Sequence, residues 1–267
     1  MGEDVAALID SVPRWFHQIE VAPGVLTPGS HESAAVLEGL PIPNDVRGLR
    51  VLDLGTRDGF FAFEMERRGA EVVAVDYMPV EQTGFAVAKR LLGSGVEYVN
   101  ANVYDLSPQH FGEFDLVLFL GLLYHLRDPM LALDRIWSVC RGRVIIETQV
   151  IDEALLTGTG QFVKLASLDK RLTDIPLMQF YPGATLHNDH TNWWAPNLAC
   201  LRSMLETSGF SLEHVSHDDD RAVALARKTA DEQVLYHRVI EKASNVVDGW
   251  ESFTRERESR ARGTGGG

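Results

Sequence analysis

From Arg50 onward, short apolar runs alternate with longer segments whose apolar residues recur at helical spacing, a pattern that predicts βαβ units and a parallel sheet. The expected strands are Arg50-Leu54, Glu71-Val75, Val96-Val99, Leu116-Phe119 and Val144-Glu147, with helices near Phe60-Arg68, Glu81-Leu92 and Met130-Val139. The first stretch, 1–49, reads differently. Turn punctuation at Pro23-Gly24, Pro28-Gly29 and Pro41-Ile42-Pro43 surrounds a short helix at Glu32-Glu38 and marks an N-terminal cap or lid. After Glu147 the alternation gives way to a polar and aromatic stretch, 149–194, too long for an ordinary connection and read as a substrate-side insertion. Pro196-Asn197 then opens a helix ending near Gly209. Two strand-like runs, Ser211-Val215 and Ala222-Ala226, flank the turn-rich His217-Asp218-Asp219-Asp220-Arg221 and form a terminal β-hairpin closing the domain 50–230. In the segment 231–267, Leu235, Val239, Ala243, Val246, Trp250 and Phe253 predict an amphipathic helix before a flexible GTGGG tail.

Composition narrows the class. Of 267 residues, 45% are hydrophobic and 24% charged, which suits one large α/β domain with a buried core. No run approaches the roughly 20 apolar residues that span a bilayer, and the start MGEDVAALIDSVPRW has no basic end followed by an apolar block, so a cytoplasmic protein without a membrane span is expected. Cys140 and Cys200 fall inside helix-like patterns and read as core thiols rather than a disulfide framework. A net charge of −13 argues against a broad phosphate-binding surface.

The sharpest local signal is VLDLGTRDGFF, residues 51–61, an apolar strand running into a glycine turn and then a helix. Gly55 and Gly59 allow a tight turn and close approach of a ligand, with Asp58 inside the turn. Asp76 closes the next strand about 20 residues later, where an acidic side chain accepts hydrogen bonds from the ribose hydroxyls of an adenosine. Dinucleotide enzymes use the same device, and the bland alternative is a structural turn with a surface Asp. Arg57, however, stands where a dinucleotide fingerprint places its middle glycine and crowds a pyrophosphate. This favours S-adenosylmethionine, with NAD as second choice, and Asn102-Val103 after the third strand supplies an amide and an apolar side chain for an adenine.

The segments WFHQIEVAPGVLTPG, VLDLGTRDGFFAFEMERRGAEVVAVD, LFLGLLYHLRDP and IIETQVID resemble the tRNA 5-methoxyuridine and 5-carboxymethoxyuridine methyltransferase-like family over most of residues 15 to 210. The resemblance implies a Rossmann-like class I methyltransferase sheet of seven strands with an antiparallel last strand, in a family that includes sugar and natural-product O-methyltransferases. It also implies cofactor contacts from Gly55, Asp76 with Tyr77, Asn102 with Val103, and Leu120 with Tyr124, and a lid around Trp15, Phe16 and His17 in which Phe16 packs on the cofactor. Simple N-terminal packing is the bland reading of Phe16 and His17. One departure is informative: the first lysine is Lys89, whereas the carboxymethoxyuridine enzymes place lysines ahead of the glycine turn to hold a carboxylated cofactor. Ordinary S-adenosylmethionine is therefore expected.

Methyl transfer to a hydroxyl benefits from a positioned base. His125, just past the fourth strand, is the first candidate, set against a purely loop-fixing role before Asp128-Pro129. The stretch Leu186-His187-Asn188-Asp189-His190-Thr191-Asn192-Trp193-Trp194 offers His190 or Asp189 as rival bases, and its mixture of polar and aromatic groups suits a sugar. Glu147, Asp189 and His190 also match the ligands of a divalent ion such as Mg²⁺, although no diagnostic spacing singles them out. The bland alternative is a helix-capping loop with both indoles in the core. The expected function is O-methylation of a hydroxyl of a sugar, glycoside or glycosylated natural product, a small-molecule or oligosaccharide acceptor, with nucleic acid disfavoured by charge and a homodimer the default assembly. The alternatives are a tRNA wobble-uridine methyltransferase-like enzyme and a nonenzymatic S-adenosylmethionine-binding or NAD-binding protein.

Overall fold

The computed structural model describes residues 4–229, and the expected C-terminal helix and tail lie outside the described residues. In chain order the elements are α1 (Val5–Asp10), β1 (Glu20–Ala22), β2 (Val25–Leu26), α2 (Ser33–Gly39), β3 (Arg50–Leu54), α3 (Phe60–Arg67), β4 (Glu71–Asp76), α4 (Phe85–Leu92), β5 (Glu97–Asn100), α5 (Pro108–Phe111), β6 (Phe114–Leu120), α6 (Pro129–Val139) and β7 (Cys140–Gln149). The insertion holds β8 (Leu155–Leu156), β9 (Phe162–Val163), α7 (Leu165–Leu168) and β10 (Met178–Phe180), and β11 (Trp194–Pro196) follows it. The chain then continues through α8 (Leu198–Thr207), β12 (Phe210–Asp218) and β13 (Arg221–Lys228).

Seven of these strands form one sheet in the order β12-β13-β7-β6-β3-β4-β5. β3, β4, β5, β6 and β7 run parallel, and β13 lies antiparallel to both β7 and β12. This is the sheet expected from the sequence. Its central strands were legible because helices cover both faces, so β3, β4 and β6 read as nearly unbroken apolar runs. Two apolar cores result. On one face Leu52, Val117, Ile146 and Phe119 pack against Leu133 and Ile136 of α6 and Leu201 and Leu205 of α8. On the other, Val51, Leu118 and Ile145 pack against Phe61 and Met65 of α3, Phe85 of α4, and Trp15, Ile19 and Val46 from the N-terminal segment. The expected cap is therefore part of that face's core.

Local chemistry sets the boundaries. Pro129 opens α6 at its first turn, and the Asn197 side chain caps α8 by accepting from the Cys200 N–H at 2.8 Å. The helix expected over 81–92 is shorter than its periodicity suggested: a 3-10 turn at Val80–Gln82 precedes α4, and Gly84 separates the two. Gly84 lies against the Trp15 indole so closely that an added Cβ would fall 2.2 Å from the ring. The expected insertion forms a small layer, in which β8 pairs with β9, β10 pairs with β11, and Tyr181, Leu186 and Ala195 bury beneath. Among the described residues, no helix is long and apolar enough to cross a membrane.

The contact between Gly84 and Trp15 makes a direct prediction. Gly84→Ala should force the indole or α4 to shift and lower the unfolding free energy by about 1–3 kcal/mol, the usual cost of overpacking, as read by urea denaturation.

Candidate active site

The carboxyl ends of the parallel strands carry the expected cofactor residues. After β3 the chain turns at Gly55, whose φ of +73° is open to glycine, and the turn is fastened to β4 by Gly55 and Thr56 N–H groups donating to the Val75 carbonyl. Arg57 takes a φ of +53°, uncommon for a non-glycine residue, and its N–H donates to Asp76 Oδ2 at 2.9 Å. Asp76 Oδ1 accepts from Met78 N at the same distance. A carboxylate offers about four acceptor positions, so Asp76 braces the turn and keeps valences for a ligand. Next to it the Tyr77 side chain is largely exposed, while Val103 is buried. Asn102 has a local role as well. Its side chain accepts from Tyr104 N and its N–H donates to Asp105, closing a capping box.

Asp58 departs from the cofactor role expected of it. The residue is fully buried; its Oδ2 accepts from the N–H groups of Phe16 at 2.6 Å and His17 at 2.9 Å, and its Oδ1 from Gly84 N at 2.8 Å. The carboxylate thus fastens the N-terminal segment to the glycine turn and to α4. Phe16 is partly exposed and stacks on His31, ring centroids 5.0 Å apart, with His17 edge-on to both. Beneath the turn, burial pushes the Asp53 carboxyl up to about 7 against the opposing hydrogen bond from Thr56.

His125 sits on a 3-10 turn, Leu123–His125, directly after β6. Its Nδ1 lies 2.9 Å from Thr191 Oγ1 and 3.2 Å from the Thr191 carbonyl, and Thr191 Oγ1 donates to Asp189 Oδ1 at 2.6 Å. Burial lowers the His125 pKa, opposed by the Thr191 carbonyl and the Asp189 charge, and Arg221 lowers it further. The balance favours the neutral ring. Asp189 does not stand apart as a rival base. Its carboxyl, kept below the usual range chiefly by Thr191, supports His125 through the threonine hydroxyl. His190 is exposed, and among the described residues no hydrogen bond holds its ring.

A second polar group lies alongside. Glu147, at the end of β7, receives Arg221 Nε at 2.5 Å and Nη2 at 2.6 Å, and the Arg221 guanidinium lies 4.8 Å from the centre of the Tyr124 ring. The Tyr124 ring in turn lies tilted against His125, centroids 4.2 Å apart, and the Tyr124 carbonyl accepts from Trp193 N at 2.8 Å. His31 lies close enough to feel the Glu147 and Arg221 charges. The expected divalent-ion set of Glu147, Asp189 and His190 does not form. Glu147 is paired with Arg221, Asp189 with Thr191, and among the described residues no three His, Cys, Asp or Glu side chains are grouped to hold a metal ion.

The two indoles are not in the core. Trp193 and Trp194 are half-buried, with Phe180 stacked 6.4 Å from Trp193 and tilted 4.8 Å from Trp194. Arg127 lies over Trp193, and Trp194 Nε1 donates to the Arg127 carbonyl at 3.2 Å. The result is a partly exposed aromatic platform from the insertion beside Tyr124 and His125. Sequence reasoning missed Thr191, Arg221, Phe180 and His31 as site residues. Only Arg221 carried a signal, as the cation that follows three aspartates in the hairpin turn.

Residues 31–215 match a family model described as a methyltransferase domain. The chain belongs to that methyltransferase family. The tRNA U34 carboxymethyltransferase of Dichelobacter nodosus is 31% identical over 188 residues, covering 69% of this chain and 53% of that protein. The protein of the same name from Campylobacter hominis is 34% identical over 112 residues, covering 40% of this chain and 39% of its own. The chain spans about half the length, or less, of these curated relatives. Among solved structures, the N-terminal domain of EvdMO1 with SAH bound aligns with a TM-score of 0.57 at 18% identity, covering 86% of this chain and 98% of that one. An S-adenosylmethionine dependent methyltransferase from Mesorhizobium loti aligns at 0.51 and 20% identity, covering 74% and 97%. These likenesses carry the fold, and with the family they agree with the enzyme class expected from the sequence and set the nicotinamide reading aside.

The edge of the methyltransferase sheet fits S-adenosylmethionine. Asp76 has acceptor positions for ribose hydroxyls, Tyr77 and Val103 offer apolar surface to an adenine, and the turn at Gly55 presents backbone without a side chain.

The cap beside this site makes the fold pH-sensitive. Burial lowers the His17 pKa from 6.5 to about 3, helped by the positive fields of His31 and Arg57. Between those values the unfolded chain holds a proton that the folded chain refuses, so stability falls as pH drops through that window. Compared with His17→Phe, the wild type should lose about 2 kcal/mol more unfolding free energy between about pH 7.5 and pH 4.5 in urea denaturation.

Proposed function

We propose that the chain is an S-adenosylmethionine-dependent O-methyltransferase acting on a hydroxyl of a sugar, glycoside or glycosylated natural product. The observation that carries this reading is a hydrogen-bonded histidine beside a partly exposed aromatic platform, Phe180, Trp193 and Trp194, at the carboxyl edge of the sheet. Sugar C–H faces take aromatic surface, and their hydroxyls take fixed polar partners. The bound cofactor supplies an electrophilic methyl group. The protein holds it through Asp76, Tyr77, Val103 and the Gly55 turn. His125 receives the proton of the acceptor hydroxyl, and the insertion sets its aromatic platform beside that histidine. Arg221, already neutralised by Glu147, offers no free cation for an anionic acceptor, which suits a neutral one.

A second reading, methyl transfer to a tRNA uridine, is supported by the tRNA U34 carboxymethyltransferases among the relatives. Against it stands the charge balance of 25 basic against 38 acidic residues, which opposes a polyphosphate partner.

Calorimetry with S-adenosylhomocysteine should show binding that weakens at least about tenfold in Asp76→Ala, its fold checked by circular dichroism. With radiolabelled S-adenosylmethionine, label should pass to members of a panel of monosaccharides and glycosides. His125→Ala should lower that turnover by roughly 10²–10⁴-fold with cofactor binding retained. Label passing only to tRNA transcripts would favour the second reading, and cofactor binding without transfer to either would favour a nonenzymatic role.

A further inference from the structure

The hydrogen bonds around Thr191 carry information about a proton that no coordinate shows directly. Thr191 N and Oγ1 both donate to Asp189 Oδ1, at 2.8 Å and 2.6 Å. The threonine hydroxyl has one hydrogen, and with that hydrogen on the carboxylate, Oγ1 can only accept from His125 Nδ1 at 2.9 Å. The Thr191 carbonyl, 3.2 Å from the same nitrogen, is an acceptor by nature. Both contacts therefore require the hydrogen on Nδ1. In a neutral imidazole this leaves the lone pair on Nε2. In water a free histidine has no such constraint, and a base that must spend part of its time in the wrong tautomer is a slower base.

We propose that Asp189, Thr191 and His125 form a hydroxyl-bridged proton relay in which Thr191 is a positioning residue. It locks His125 in the Nδ1–H tautomer with Nε2 free to take the acceptor's proton. The inference rests on the O-methyltransferase reading for its use but not for its geometry. In the step it serves, the acceptor O–H bond breaks with its electron pair left on oxygen, and the proton forms the N–H bond at Nε2 and later passes to water. The imidazolium so formed is stabilised by Asp189 through the threonine hydroxyl. The relay joins parts of the chain 66 residues apart, the turn after β6 and the insertion, so the base is complete only when the insertion is seated. That seating is fixed by Trp193 N–H donating to the Tyr124 carbonyl and Trp194 Nε1–H to the Arg127 carbonyl. The charged and titratable groups facing His125 are Asp189 from the insertion, Arg221 from β13 and Tyr124 from its own turn.

Two-bond ¹H–¹⁵N correlation spectra of the full ¹⁵N-labelled chain, with His125→Gln to assign the signal, report the tautomer without any substrate. The wild type should show the Nδ1–H form. Thr191→Val, at an exposed position, keeps the backbone carbonyl that accepts from Nδ1–H and should lower the apparent His125 pKa by roughly half a unit or more, because the imidazolium loses its link to the carboxylate. Asp189→Asn should lower it likewise, and Thr191→Ser should restore it. Where an acceptor is in hand, Thr191→Val should reduce kcat by about tenfold or more with S-adenosylhomocysteine affinity unchanged. An Nε2–H tautomer in the wild type, or a Thr191→Val protein that titrates as the wild type does, would overturn the relay. If the spectra behave as expected and no sugar is methylated, the acceptor reading falls and the relay stands. If sugars are methylated and the spectra fail, the reverse holds.

Discussion

One buried carboxylate decides how this molecule is assembled. Asp58 belongs to the glycine turn by sequence, yet its oxygens accept three backbone N–H groups from two other places, the N-terminal segment at Phe16 and His17 and the start of α4 at Gly84. Charge-assisted hydrogen bonds of this kind are among the stronger polar contacts available to a fold, and removing the acceptor would leave three buried donors without partners. Trp15 then packs on Gly84, and Phe16 and His17 are held against the glycine turn with His31 stacked on Phe16. The cap, the cofactor turn and one helical face are thus a single mechanical unit.

Much of the fold was legible because burial on both faces leaves a simple trace. β3, β4, β6 and β7 stand out as apolar runs, and the terminal hairpin was framed by its turn residues. β3 was found at its full length and β5 one residue out of place, whereas β4, β6, β7, β12 and β13 were found one to four residues short at an end, where polar residues such as Arg143 and Gln149 still pair in the ladder. The insertion was recognised by length but not by content. Strands of two or three residues, such as β8 to β11, carry too few positions for a period of two to show.

The site was half legible for the same physical reason. Gly55, Asp76 and His125 were picked out because each lies at or just past the carboxyl end of a parallel strand, a position that a local pattern marks. Asp58 and Asn102 looked like ligand residues because they share those loops, and their side chains turn out to serve backbone donors. Thr191 and His31 were silent, and Arg221 was marked only by its place in the hairpin turn, because the meaning of such residues lies in distant partners: Thr191 is 66 residues from His125, and Arg221 is 74 from Glu147. No local pattern encodes a contact of that span.

The pairing of Glu147 with Arg221 has a temporal side. The carboxylate arrives with the last parallel strand, β7, whereas its cation arrives with the last strand of the sheet, β13. A chain emerging from the ribosome therefore passes through a stage at which the parallel strands have all been made while an acidic side chain waits uncompensated at their edge. Only the return of the antiparallel strand discharges it. The settling of this edge is thus delayed by the 74 residues that separate the carboxylate from its cation.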